Sequence, residues 1–148
     1  MNPRLLLRIA AALLFFFALG HTIGHVTRHD VKDPLARELQ RMMIDNKFEM
    51  YGQMRSYDEN YTGLSMNMIA ALLAFGIILW EVAGHVEKNT ELVRTILIAM
   101  TFAVLMFAIS GFVYFFLLPA ITCLLAAILM GVVLAGLPGE RRAPDPDL

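Results

Sequence analysis

Histidines recur at every fourth position where the first apolar segment ends: His21, His25 and His29. Side chains four apart on a helix share a face, drifting about 40° per step. Two imidazoles in that register can chelate one divalent metal ion. A working metal site also needs a third ligand and carboxylates behind the ligands, and Asp30, Asp58 and Glu59 are the candidates. The plainer reading leaves His21 and His25 at a helix end, hydrogen-bonded to tyrosine, asparagine or backbone. Haem fits poorly: two imidazoles on one helix cannot bracket a porphyrin, and His85 belongs to the other membrane face.

A second polar run, Arg55-Ser56-Tyr57-Asp58-Glu59-Asn60-Tyr61, precedes the next apolar segment. Charges held near a bilayer usually pair and often mark function. The alternative is an ordinary interfacial turn with tyrosines as anchors. The expected candidate set is a polar cluster of His21, His25, Arg55, Tyr57, Glu59 and Tyr61, shielded by Met42, Met43 and Phe48. Asn67 joins the set as the strongly polar side chain well inside the following segment. Arg55 and Glu59, four apart, would share a helical face and pair. In an enzymatic reading, Glu59 or Asp58 would be third ligand or general base. Glu81 and His85 read as a helix-end salt bridge.

Four apolar spans must position these residues. Leu5 to Gly24 is long enough, at about 1.5 Å per residue, to cross a hydrocarbon core of roughly 30 Å. Arg8 lies one turn inside and can snorkel. The same stretch also fits a cleaved signal peptide over residues 1–20, with Ala18-x-Gly20 as the cleavage site. Between the first two spans, Asp33-Pro34 is a helix start, an acidic cap followed by proline. Leu35, Leu39, Met42 and Met43 then share one face, so an amphipathic surface helix is expected over about 34–47. The second span runs over about 63–84 and carries Trp80 at an interface. Val93 to Leu137 holds one charge, Arg94, and is too long for one span. Pro119 divides it into spans of about 93–116 and 119–137. Residues 1–137 thus form a single membrane domain, and 138–148, rich in proline and charge, read as a disordered tail.

Composition agrees. The chain has 148 residues and is 58% hydrophobic, above the roughly 45–50% of soluble domains. A net charge of −1 gives no electrostatic footprint for nucleic acid. One cysteine, Cys123, excludes an internal disulfide, a CxxC pair and a thiolate zinc site. Small residues mark helix-packing faces: Gly20 and Gly24; Ala99, Ala103 and Gly111; and Cys123, Ala127, Gly131 and Ala135. Such faces suit close helix approach, within the chain or with a second copy or another membrane protein.

Two motifs carry a resemblance. His21, Thr22, Gly24 and His25 close the first span; Phe48, Gly52, Arg55, Ser56, Tyr57, Glu59, Tyr61 and Gly63 open the second. Together they resemble a group of small, uncharacterised bacterial four-helix integral membrane proteins, with Asp58 and Asn60 departing from its pattern. The resemblance implies a four-helix membrane fold and a polar cluster, and supplies no activity.

The expected architecture is all-α: a four-transmembrane-helix bundle with one amphipathic surface helix between helices 1 and 2. The expected function is that of a non-enzymatic ligand-binding or accessory membrane component. The alternative is a metal-dependent membrane enzyme using His21 and His25, with a divalent metal as cofactor. Basic residues near span ends, Arg4, Arg8, Lys88, Arg94, Arg141 and Arg142, favour cytoplasmic termini in a bacterial inner membrane. A reporter fused at Lys47 should then be active only on the outside, and one at the C-terminus only in the cytoplasm. Cytoplasmic activity at Lys47 would reverse the topology.

Overall fold

A computed structural model describes residues 2–138. The expected tail therefore lies, from residue 139 on, outside the described residues. Five helices and one hairpin follow in order: α1 (Pro3–Thr27), α2 (Pro34–Asp45), β1 (Lys47–Met50), β2 (Gln53–Ser56), α3 (Tyr57–His85), α4 (Thr90–Tyr114) and α5 (Leu117–Gly136). The fold is an all-α bundle in which α1, α3, α4 and α5 are each long and apolar enough to cross a membrane. The chain forms two compact units, and α1 and α3 each contribute to both.

The first unit comprises residues up to Phe15 and from Phe75 onward. Its core follows helical periodicity. Leu7, Ala10, Ala11 and Leu14 are buried on α1, and Leu79, Val82, Ala83 and Val86 on α3. Val93, Leu97, Met100, Val104 and Ala108 are buried on α4. The opposite faces carry Leu5, Ile98, Phe102 and Leu125, which are exposed as lipid-facing side chains should be. The guanidinium of Arg8 lies 5.0 Å over the Trp80 ring, and the Phe75 and Phe107 rings stack at 6.0 Å. Arg94 of α4 donates to the carbonyls of Leu137 and Pro138, so a cation caps the carboxyl end of α5.

Small residues decide the α4–α5 approach. A Cβ placed on Gly111 would stand 3.0 Å from the Cα of Ala120 and 3.2 Å from its nitrogen. Cys123, Ala126 and Ala127 continue the buried side of α5. Pro119 lies in the first turn of α5, where a missing N–H removes no helical bond. The glycine step of α1 behaves otherwise. A Cβ on Gly20 or Gly24 meets nothing within 4 Å, so these glycines do not serve a close approach within the chain.

The second unit, Phe16–Ala74, contains the ends of α1 and α3 with α2 and the hairpin between them. Asp33 caps α2, its carboxylate accepting from the Ala36 amide at 2.8 Å. Helix α2 stops at Asp45, and the residues after it form a β-hairpin rather than further helix. Tyr51 (φ 49°) and Gly52 (φ 83°) make its two-residue loop, the backbone of a type I′ turn. The strands pair antiparallel from Lys47↔Ser56 to Met50↔Gln53.

Gly111→Val should crowd the Ala120 backbone and destabilise the protein by about 1–3 kcal/mol, the range for overpacking. Gly24→Ala, filling open space, should be neutral or stabilising by up to about 1 kcal/mol. Unfolding in detergent with increasing denaturant would measure both.

Candidate functional site

Arg28, just past the last turn of α1, is the centre of the polar site. Its Nη2 donates to Asp58 Oδ2 at 3.1 Å and to the Thr62 hydroxyl at 2.7 Å, while Nε donates to Asp58 Oδ1 at 3.4 Å. This is a two-pronged guanidinium–carboxylate pair, the strongest common form of charged hydrogen bond. Both side chains are only 18% exposed. Thr62 in turn donates to the Asp58 carbonyl at 2.8 Å, which aims its oxygen at Arg28. Nη1 donates to the His25 carbonyl at 3.1 Å. It also lies 3.2 and 3.3 Å from the two ring nitrogens of His25. The near-equal distances leave it shared between the two nitrogens rather than bonded to one. The guanidinium also lies 5.7 Å from the Tyr61 ring centroid, in cation–π range.

Two more side chains extend the site. His29 Nε2 stands 3.0 Å from Asp58 Oδ1. Gln40 of α2 donates to the Arg28 carbonyl at 2.8 Å, tying the surface helix to the end of α1. One turn deeper, His21 Nε2 meets the Ser65 hydroxyl at 3.0 Å, with Phe17 edge-on to its ring at 6.1 Å.

Arg55 and Glu59 belong to a separate group. Ser56 and Glu59 form a reciprocal cap at the start of α3: the Ser56 hydroxyl accepts from the Glu59 amide at 3.1 Å, and Glu59 Oε2 accepts from the Ser56 amide at 2.8 Å. Lys47 reaches Glu59 Oε1 at 3.5 Å, and Arg55 reaches it at 4.0 Å. Both members of the Arg55–Glu59 pair are exposed, at 51% and 40%. Tyr57 packs on Phe48 of β1, ring centroids 4.5 Å apart. Asn67 is exposed on α3 and makes no hydrogen bond to the described residues.

Of the expected cluster, then, His25 and Tyr61 meet around Arg28, and His21 pairs with Ser65 nearby on the same helices. Arg55 and Glu59 do not join them. The charge expected from Arg55 comes instead from Arg28, which sequence reasoning passed over. A signal was present: Arg28 follows His25 by three residues, one turn on, at a span end where an unpaired charge is unfavourable. The Ser56-x-x-Glu59 cap was likewise legible as a capping box.

Metal binding by His21 and His25 gains no geometric support. Among the described residues, no three His, Cys, Asp or Glu side chains are grouped to hold an ion. Arg28 sets a positive charge within 3.2 and 3.3 Å of the two ring nitrogens of His25 and so repels a dication approaching either. No protein-family model matches the chain, and no curated protein and no solved structure matches it. Fold and site together describe a helical bundle of the multi-pass integral membrane class with a polar fastener joining two of its helices.

A double-mutant cycle on Arg28 and Asp58, read by denaturant unfolding, should give a coupling of about 1–3 kcal/mol, as for a part-buried charged pair. The Arg55–Glu59 cycle should give a clearly smaller coupling, as for a pair screened by solvent. Equal couplings would remove Arg28 from the centre of the site.

Proposed function

We propose that the chain is a non-enzymatic accessory component of a bacterial inner membrane, with both termini cytoplasmic. In this reading the Arg28 cluster is a fastener. It holds the extracytoplasmic ends of α1 and α3 in one arrangement and so presents α2 and the hairpin at the membrane surface.

The closure of the cluster on itself carries this reading. A catalytic or metal-binding group needs a lone pair or a proton directed at substrate. Here the Arg28 guanidinium is engaged by Asp58, Thr62 and the His25 carbonyl. Asp58 is held by Arg28 and His29, and His21 is turned to Ser65. Glu59, the candidate base, is committed to the α3 cap. The exposed apolar side of α2, with Leu35, Leu39 and Met42, supports a role at an interface. The resemblance to small bacterial membrane proteins supports the compartment.

Metal analysis of protein purified without chelator separates this reading from a metalloenzyme. Zinc, copper and iron should each fall well below one ion per chain, and His25→Ala should leave the content unchanged. A near-stoichiometric ion that His25→Ala abolishes would overturn the accessory reading.

A further inference from the structure

Asn67 stands apart from the other polar side chains of the spans. Thr22 and Thr122 donate to carbonyls of their own helices at 2.7 and 2.8 Å. Ser110 does the same at 3.1 Å, and Ser65 pairs with His21. Thr101 lacks a partner too, but its hydroxyl is buried within the chain. Asn67 is exposed, and its carboxamide has no partner among the described residues.

Its depth makes this consequential. Tyr61 and Trp80 bracket a stretch of α3 about 29 Å long at 1.5 Å per residue, which matches the hydrocarbon core. Asn67 is six residues past Tyr61, about 9 Å inside that core. An asparagine side chain is too short to reach water from there, and an unpaired amide in hydrocarbon is unfavourable.

The face around it is made for a helix. Gly63, Asn67, Ala70 and Ala74 follow a four-three-four spacing, and all four are exposed. That spacing is the seam of a left-handed helix pair. A Cβ on Gly63 would meet nothing within 4 Å. Ser65 and Leu72, on the opposite side of α3, are buried, so the protein's own interior lies there. The apolar window of α3 is the least covered of the four spans, 22% buried against 44% for α5.

We propose that this face of α3 is a two-fold interface with a second copy of the chain, in which the two Asn67 carboxamides hydrogen-bond to each other. The inference rests on the membrane reading and names the partner. A second copy fits because a carboxamide carries both donor and acceptor. Two copies inserted with the same topology hold Asn67 at the same depth. A two-fold axis along the membrane normal then sets like against like. Gly63, Ala70 and Ala74 let the backbones come close enough for the short amides to meet.

The test uses the full chain in liposomes, with Cys123→Ala as background. Oxidation of Gly63→Cys, Asn67→Cys, Ala70→Cys or Ala74→Cys should yield covalent dimers, whereas Leu73→Cys, exposed but off the seam, should not. Single-molecule photobleaching of the otherwise native protein should count two copies. Asn67→Leu should weaken association by about three- to twentyfold, the range of interhelical hydrogen bonds in membranes. Asn67→Gln should retain most of it. Monomers at every protein density, or crosslinking as strong at Leu73→Cys, would overturn the dimer. In native membranes, adducts at Asn67→Cys with a different protein alone would overturn it as well. A monomeric protein with low metal content would sink this proposal and leave the accessory reading standing.

Discussion

The two-pronged pair between Arg28 and Asp58 is the interaction on which the polar half of the molecule depends. It joins residues thirty apart in sequence, and both charges are largely withdrawn from water. Such a pair is tolerable only when hydrogen bonds satisfy the remaining donors and acceptors. Thr62, His29 and the His25 carbonyl supply them. The carbonyl of Arg28 also anchors Gln40, so the same residue fixes both the end of α1 and the position of α2.

The hairpin depends on this arrangement at one remove. A two-stranded ribbon of four-residue strands is marginal by itself in water. Three contacts hold it to the first turn of α3: Phe48 on Tyr57, Lys47 on Glu59, and Asn60 donating to the Met50 sulfur at 3.1 Å. The Ser56–Glu59 cap sets the start of that turn, and Ser56 is also the last residue of β2. The end of the strand and the beginning of the helix are therefore one device. If α3 frayed at its start, the hairpin would lose the surface it leans on.

The spans obey a simpler rule. Lipid gives no hydrophobic drive for helices to associate, so packing must come from fit. Gly111 against Ala120 is such a fit. Among the described residues, Arg8, Glu81 and Thr95 are exposed near span ends while Asn67 is exposed well inside a span, and this exception singles out one face of α3 among several that bear small residues. The glycines of α1, which looked like the close-contact step, face open space.

Four apolar stretches of span length, separated by one long polar insertion, a short charged turn and the break at Pro119, determined the helical membrane fold without further help. Length and hydropathy act locally and need no partner to be read. The Asp33-Pro34 start of α2 was legible for the same reason, since a cap involves residues three apart. What only the tertiary structure decided was which charges meet. Arg28 and Arg55 are equivalent in the sequence, each flanked by polar residues at a span end. Their fates differ because the turn after α1 carries Arg28 onto the Asp58 side of α3, while the hairpin carries Arg55 toward solvent. The hairpin itself was hidden, because Lys47–Ser56 has helix-compatible side chains and a Tyr51-Gly52 loop instead of a strong turn pair. Its strands are stable only against α3, and contacts of that kind have no signature in local sequence.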